Sequence, residues 1–239
     1  MVQPEIIFED KFLIVLDKPA GWVVNRAETT KRQKTVQDWL KKDFDYPLAK
    51  NDAWRSGIVH RLDKETSGLL VIAKTKKAFL NLQEQFKKRL IFKEYLALVH
   101  GEVEEKRGVI DLPVGRLPWS RKRFGVIPGG RKALTHYHLL SNFQSSASYE
   151  KFSLLRLWPR TGRTHQIRIH LKYLKHPIVA DNLYAGRKLA RKDSAFCPRL
   201  FLHASKIRFI HPNLGKKIDF ISPIPHELKK VLSKLEKLA

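Results

Sequence analysis

Apolar residues recur along this chain in two periods, and the predicted elements follow from which period holds where. Residues 6–8 and 12–16 are short apolar runs split by the turn-like Glu9-Asp10-Lys11, and they read as two strands. A third run, residues 69–73, is continuous, too short for a helix, and reads as a buried strand. At residue 35 the pattern changes to a helix start: Thr35 is the N-cap candidate, Asp38 holds the capping-box position, and Val36, Trp39 and Leu40 make the apolar face. Residues 43–55 read as loop. The clearest helical period covers 75–89, with Thr75 as cap, Ala78, Phe79, Leu82 and Phe86 on one face, and basic residues near the end where they suit the dipole. Residues 91–99 alternate, which sets Lys93, Tyr95, Ala97 and Val99 on one face and Glu94, Leu96 and Leu98 on the other.

Further strands are predicted over 133–140, 149–157 and 200–210, with a polar loop over 141–148. Thr164 starts a predicted helix with the buried stripe Ile167, Leu171 and Leu174, and with Arg168, Lys172 and Lys175 on the neighbouring stripe. A final helix is predicted over 227–238, its stripe being Leu228, Val231, Leu232, Leu235 and Leu238. No repeat, low-complexity tract or evident linker divides the chain, so one domain over 1–239 is expected, with a core over about 6–223.

Charge changes the picture. The 239 residues hold 47 Lys plus Arg against 23 Asp plus Glu, a net +24 that exceeds what solubility needs and points to a polyanionic partner, nucleic acid above all. No apolar run is long enough to span a bilayer, and no segment is amphipathic and basic enough to prefer a membrane surface. Cys197 is the only cysteine, which excludes an internal disulfide and a cysteine-based zinc site and fits a reducing, cytoplasmic compartment. The first residues lack the basic region of a signal peptide. Residues 113–132 are basic and turn-rich, with Arg116, Arg121, Lys122, Arg123, Arg131 and Lys132 interleaved with Trp119 and Phe124. Cations among aromatics suit RNA, whose backbone and splayed bases both need contacts; a solvated hairpin loop is the alternative.

The densest chemistry lies just before the buried strand. His60, Arg61, Asp63, Lys64 and Glu65 fall within six positions, between the turn Ser56-Gly57 and the turn formers Thr66, Ser67 and Gly68. Asp63, a carboxylate framed by cations on a loop, is a candidate reactive group, against the plain alternative of a charged surface turn. Upstream, Pro19 and Gly21 define a turn beside Lys18, which either faces a phosphate or secures the strand end; the second reading is favoured. Downstream, Arg160 and Arg163 precede a helix N-terminus, an arrangement suited to an anion. His165 and His170, five apart, point away from one another and do not make a metal pair.

Taken together, His60-Arg-Leu-Asp63 with Thr66-Ser-Gly68, Lys93-Glu-Tyr95, Gly162-Arg-Thr-His-Gln-Ile-Arg168 and Leu202-His-Ala204 resemble, in order and approximate spacing, the RluA-type family of pseudouridine synthases. The resemblance runs from about residue 6 to 223. It implies a mixed α+β fold, a largely antiparallel bent sheet in two halves flanked by helices, with a central cleft for RNA. It implies isomerisation of uridine with neither metal nor nucleotide cofactor. Asp63 matches the family's catalytic aspartate, Tyr95 its active-site tyrosine, Arg168 the arginine that pairs with the aspartate, and Arg61 the arginine that takes the place of the flipped uridine. His60, Arg163, Arg121, Lys122 and Arg123 are the further RNA-contacting candidates. Where many relatives carry Gly-His-Pro-Ile and a later Gly-Asp, this chain has Lys175-His-Pro-Ile178 and Ala180-Asp181, which puts the local turn geometry in question. No additional N-terminal RNA-binding domain is expected, and a monomer is.

Two rivals stand beside this expectation. A non-catalytic RNA-binding or ribosome-assembly factor would use the same charge but gives no reason for Asp63, Tyr95 and Arg168 together. A nucleoside or glycoside hydrolase would need a second carboxylate, for which Glu65 and Glu94 are available, Glu94 pointing away from Tyr95. Large-subunit ribosomal RNA is the first expected substrate and transfer RNA the second.

Overall fold

The computed structural model describes residues 2–30, 33–120, 123–146 and 148–238. Among them the chain order is β1 (Glu5–Glu9), β2 (Leu13–Lys18), α1 (Val36–Asp43), β3 (Ser67–Ala73), α2 (Lys76–Lys87), β4 (Phe92–His100), β5 (Arg107–Asp111), β6 (Val114–Arg116), β7 (Phe124–Val126), β8 (Leu134–Gln144), β9 (Lys151–Pro159), α3 (Gln166–Tyr173), α4 (Arg187–Asp193), β10 (Leu202–Ile210), β11 (Lys217–Ile221), α5 (His226–Leu232) and β12 (Glu236–Lys237). The fold is α+β. The chain forms two compact units, one from residues 1–92 with 204–222, the other from 93–203 with 223–239.

The first unit is a sheet in the order β1, β2, β3, β10, with β11 paired to β10. β1–β2, β2–β3 and β10–β11 are antiparallel. Every residue of β3 is buried, and Leu13 to Leu16 of β2 are fully buried, so these two strands make the centre of the core. The turn between β1 and β2 is set by Asp10, whose Oδ1 accepts the Phe12 and Leu13 amides at 2.7 and 2.8 Å. Both helices start as the sequence predicts. Thr35 accepts the Asp38 amide at 2.9 Å, and Thr75 accepts the Ala78 amide at 3.2 Å.

The second unit is built on β4, β9, β8 and β12 in that order, with β5 on β8 and a separate β6–β7 hairpin. Its core gathers Leu98, Phe152, Leu155, Leu157, Ile167, Leu171, Phe201, Leu228 and Val231. Four sequence expectations change here. β8 continues through residues 141–144, because Ser141, Asn142, Phe143 and Gln144 pair with β9, so the polar loop is shorter than expected. β5 is a strand that its short, glycine-containing sequence did not announce. The helix predicted from Thr164 begins at Gln166. The final helix stops at Leu232, and residues 236–237 instead form an edge strand on β8. Leu235 still packs on the core, so the apolar stripe is used, though not by continuous helix.

Candidate active site

In the first unit the loop carrying Asp63 is built by strain at one end and close approach at the other. Arg55, Ser56 and Gly57 all have left-handed backbones, with φ of 49°, 51° and 79°. Such a conformation is costly for Arg and Ser, and it persists because the Ser56 carbonyl is held by the buried Tyr46 hydroxyl at 2.8 Å. At the far end Gly68 has φ 112°, and a Cβ there would collide with the Ala204 backbone, so only glycine lets β10 lie against the loop's exit.

Between these ends the loop is pinned from below. The Val71 amide donates to His60 Nε2 at 2.9 Å, and the His60 ring packs on Phe86 with centroids 4.8 Å apart. His60 thereby braces the loop on β3, a structural task that the expectation of an RNA contact did not include. Lys18 is fully buried, and its ammonium donates to the carbonyls of Pro19, Trp22 and Lys64 at 3.0, 3.0 and 3.2 Å. The Lys64 carbonyl also accepts the Gly21 amide at 2.8 Å, and the Asp63 carbonyl accepts the Thr66 amide at 3.1 Å. The backbone on both sides of the half-buried Asp63 carboxylate is therefore fixed, while Lys64 and Glu65 are exposed. Arg61 is exposed and lines a cavity of about 750 Å³ together with Asn25, Arg26, Gln37, Asp52 and Arg55.

In the second unit Tyr95 stands on β4 opposite Leu157 of β9. Strand alternation gives it the same face as Lys93. Burial pushes the Lys93 amine down to about 8, and the nearby Arg160 charge pushes in the same direction. Lys93 Nζ lies 3.9 Å from where a Cβ at Gly162 would stand, next to the turn that begins the arginine-rich motif. Glu94, on the opposite face, accepts Trp158 Nε1 at 3.1 Å and lies 3.6 Å from Arg156 Nε. That placement commits Glu94 to a structural ion pair and removes it as the second carboxylate a hydrolase would use.

The motif Gly162-Arg-Thr-His-Gln-Ile-Arg168 enters α3 by an uncommon route. His165 sits in the left-handed region at the N-cap position, with φ 55°. The Gln166 side chain replaces an ordinary cap: its Oε1 accepts the Arg163 amide at 3.0 Å and the Thr161 hydroxyl at 2.6 Å, while its Nε2 donates to the Leu134 carbonyl and the Thr135 hydroxyl. Thr164 has no part in the cap, which is why the helix starts later than predicted. Arg163 donates through Nε to the Lys132 carbonyl at 3.1 Å, linking the helix entry to the end of the basic segment.

Arg168 is buried, although the stripe pattern set it beside two exposed lysines. Its Nε and Nη2 donate to the two oxygens of Asp181 at 2.8 and 2.7 Å. Asp181 and Lys93 are the functional candidates that sequence reasoning passed over. Lys93 lies two residues before Tyr95 and Asp181 beside a departure from the family pattern, and neither has a periodicity that singles it out. That departure itself resolves cleanly: Lys175 and Ala180 have φ of 65° and 59°, left-handed positions that glycine would occupy at lower cost. Arg123 lies in the turn before β7, its amide donating to the Ser120 carbonyl at 3.1 Å. Arg121 and Lys122 lie outside the described residues. Among the described residues no helix is long and apolar enough to cross a membrane, and no three His, Cys, Asp or Glu side chains cluster as metal ligands do.

The RNA pseudouridylate synthase family matches residues 12–173. An uncharacterized RNA pseudouridine synthase of Synechocystis is 39% identical over 231 residues, covering 95% of this chain and 68% of that protein. Ribosomal large subunit pseudouridine synthase D of Nitrosomonas europaea is 39% identical over 238 residues, covering 98% of this chain and 66% of that protein. The chain thus spans about two thirds of the length of these curated relatives. Among solved structures, human RNA pseudouridylate synthase domain containing 1 is similar with a TM-score of 0.75 at 27% identity, over 98% of this chain and 89% of that one. The chain belongs to the RNA pseudouridylate synthase family, whose members are isomerases that act on uridine in RNA.

Proposed function

We propose that this chain converts uridine to pseudouridine at a defined position of structured RNA, with large-subunit ribosomal RNA as the substrate. Asp63 is the reacting carboxylate, Tyr95 lies against the base, Arg168 is the cationic partner of the carboxylate, and Arg61 fills the place the uridine leaves. The observation that carries this reading is the construction of the Asp63 turn. A solvated surface turn has no use for a buried lysine that spends its ammonium on three backbone carbonyls, one of them next to the carboxylate. Such support suits a group that must be held in place against a substrate. The choice of ribosomal RNA is supported by the name of the Nitrosomonas relative and by the charge of +24; transfer RNA is the second choice.

The reaction breaks the bond from N1 of uracil to C1′ of the ribose, turns the base, and joins C5 to C1′; a proton leaves C5, one is gained at N1, and mass is conserved. Whether Asp63 first meets C1′ or C6, it must be ionised, and a guanidinium keeps a carboxylate charged where water is scarce and fixes which oxygen faces the sugar. A tyrosine on the base supplies a flat face and a phenol within reach of C5. The uridine must leave its stack, and a side chain inserted behind it offsets the lost stacking. Arg163 and the basic segment with Arg121, Lys122 and Arg123 serve the phosphates.

The test is product analysis on a ribosomal RNA transcript. Pseudouridine formation without release of free uracil supports the proposal, free uracil marks a hydrolase, and binding with neither product marks a non-catalytic factor. Mapping pseudouridines in total RNA of cells with and without the gene names the position and decides between ribosomal and transfer RNA.

A further inference from the structure

Arg168 is held on more than one side. The Asp181 side chain is fully buried, and besides the two bonds to the guanidinium its Oδ1 accepts the Leu183 and Tyr184 amides, each at 3.0 Å. The carboxylate is thus locked by the turn that follows α3 and presents both oxygens to one edge of the arginine. Tyr184 covers a face of the same group, its ring centroid 5.0 Å from Arg168 Cζ. The Tyr184 hydroxyl is itself tied down, hydrogen-bonded to His165 Nδ1 at 2.8 Å and accepting the Phe124 amide of β7 at 3.3 Å. His165 is the left-handed residue at the entry to α3, so the tyrosine is anchored at the start of the very helix that carries Arg168.

A buried ion pair is a poor way to gain stability, because desolvation of both charges offsets most of their attraction. It is a good way to fix a plane. Two hydrogen bonds on one edge and a ring on one face define the orientation of a guanidinium that would otherwise sample several rotamers.

We propose that Asp181 and Tyr184 are positioning residues for Arg168, Asp181 setting the guanidinium from its edge and Tyr184 from its face, so that its direction is fixed before RNA arrives. This rests on the reading of Arg168 as the partner of the reacting carboxylate. Neither Asp181 nor Tyr184 needs to touch the uridine.

The test is single-turnover kinetics with enzyme in excess over RNA, which separates the rate constant from the amplitude, together with RNA affinity. Asp181→Asn keeps the shape but puts an amide donor against a guanidinium donor. Its rate constant falls by about 10- to 10²-fold at full amplitude and with nearly unchanged RNA affinity. Tyr184→Phe, which keeps the face and loses the anchor, shows a smaller loss in the same parameter. In the Arg168→Ala background Asp181→Asn adds no further loss, because the group it positions is gone. If Asp181→Asn does not fold, Asp181→Glu, which keeps the charge and moves it by one methylene, gives the same readout. A purely structural Asp181 would lower the amplitude with the folded fraction and leave the rate constant intact; that result, or a wild-type rate constant in either Asp181 variant beside an inactive Arg168→Ala, overturns the proposal. A wild-type rate in Arg168→Ala strikes the role of Arg168 itself and takes this inference with it.

Discussion

The buried ammonium of Lys18 donates to the carbonyl of Lys64, 46 positions later, at 3.2 Å, and so joins the end of β2 to the residue that follows Asp63. The same ammonium satisfies the carbonyls of Pro19 and Trp22. A lysine rather than an apolar residue is needed because three carbonyl acceptors converge on one fully buried side chain, and a buried acceptor left unpaired there carries a desolvation cost.

Replacing Lys18 with Met removes the donor while keeping most of the volume. The expected loss of stability is about 1–3 kcal/mol, from the Pro19 and Trp22 carbonyls losing this donor while the Lys64 carbonyl keeps the Gly21 amide. Denaturant unfolding measures it, and activity should fall further than the folded fraction because the Asp63 turn loosens. A variant as stable and active as the parent would contradict the role given to Lys18.

Asp63→Asn is expected to keep the fold and RNA binding and to lose at least about 10²-fold in isomerisation rate, the scale of removing a positioned covalent or proton-transfer group. Pseudouridine formation by this variant at near the parent rate would remove Asp63 from the chemistry.

The Lys93 amine gives a pH dependence with a definite sign. Its value in the folded protein, about 8, lies below the ordinary lysine value of 10.5. Below pH 8 the amine is charged in both states and the folded protein bears its desolvation. Between about pH 8 and 10.5 the unfolded chain binds the extra proton, so this group's contribution to stability rises with pH. Lys93→Met should therefore melt at a higher temperature than the parent at pH 7, with the gap closing as pH passes 8 and approaches 10. Parallel melting curves across that range would show that the amine is not perturbed as described.

Lys175 and Ala180 occupy left-handed backbone positions at the two places where the family resemblance expects glycine. Lys175→Gly and Ala180→Gly should each stabilise the protein by roughly 0.5–1 kcal/mol, the relief of the steric cost less the added freedom of the unfolded chain. Thermal melts of the single and double variants check this, and a loss of stability at both positions would refute it.

Much of this architecture was legible because it is local. β3 and α2 follow from unbroken periodicity, and Thr35 and Thr75 cap their helices through neighbours three residues away. The family resemblance named Asp63, Tyr95 and Arg168 through short motifs. What could not be read depends on partners far along the chain. The stripe at Leu235 and Leu238 is compatible with a helix, but pairing of residues 236–237 with β8 competes and wins. Thr164 looks like a cap, yet Gln166 reaches back to Arg163 and Thr161 and moves the helix start. Arg168 shares a stripe with lysines, and nothing in that stripe announces that Asp181 supplies a buried counter-charge from the turn beyond the helix. His60 reads as an RNA-contacting side chain because nothing nearby announces that the Val71 amide will occupy its ring nitrogen.

The close approach of Gly68 to Ala204 has a temporal consequence. β3 is apolar on both faces and lies between β2 and β10, so one of its edges waits for a strand that is synthesised much later. On a ribosome adding roughly 5–20 residues per second, that edge stays unpaired for about 7 to 27 seconds after β3 is made. An uncovered apolar strand is a template for pairing with other chains. Yield of this protein should depend on how well the nascent chain is shielded during that interval, and slowing synthesis without added chaperone capacity should lengthen the exposure rather than relieve it.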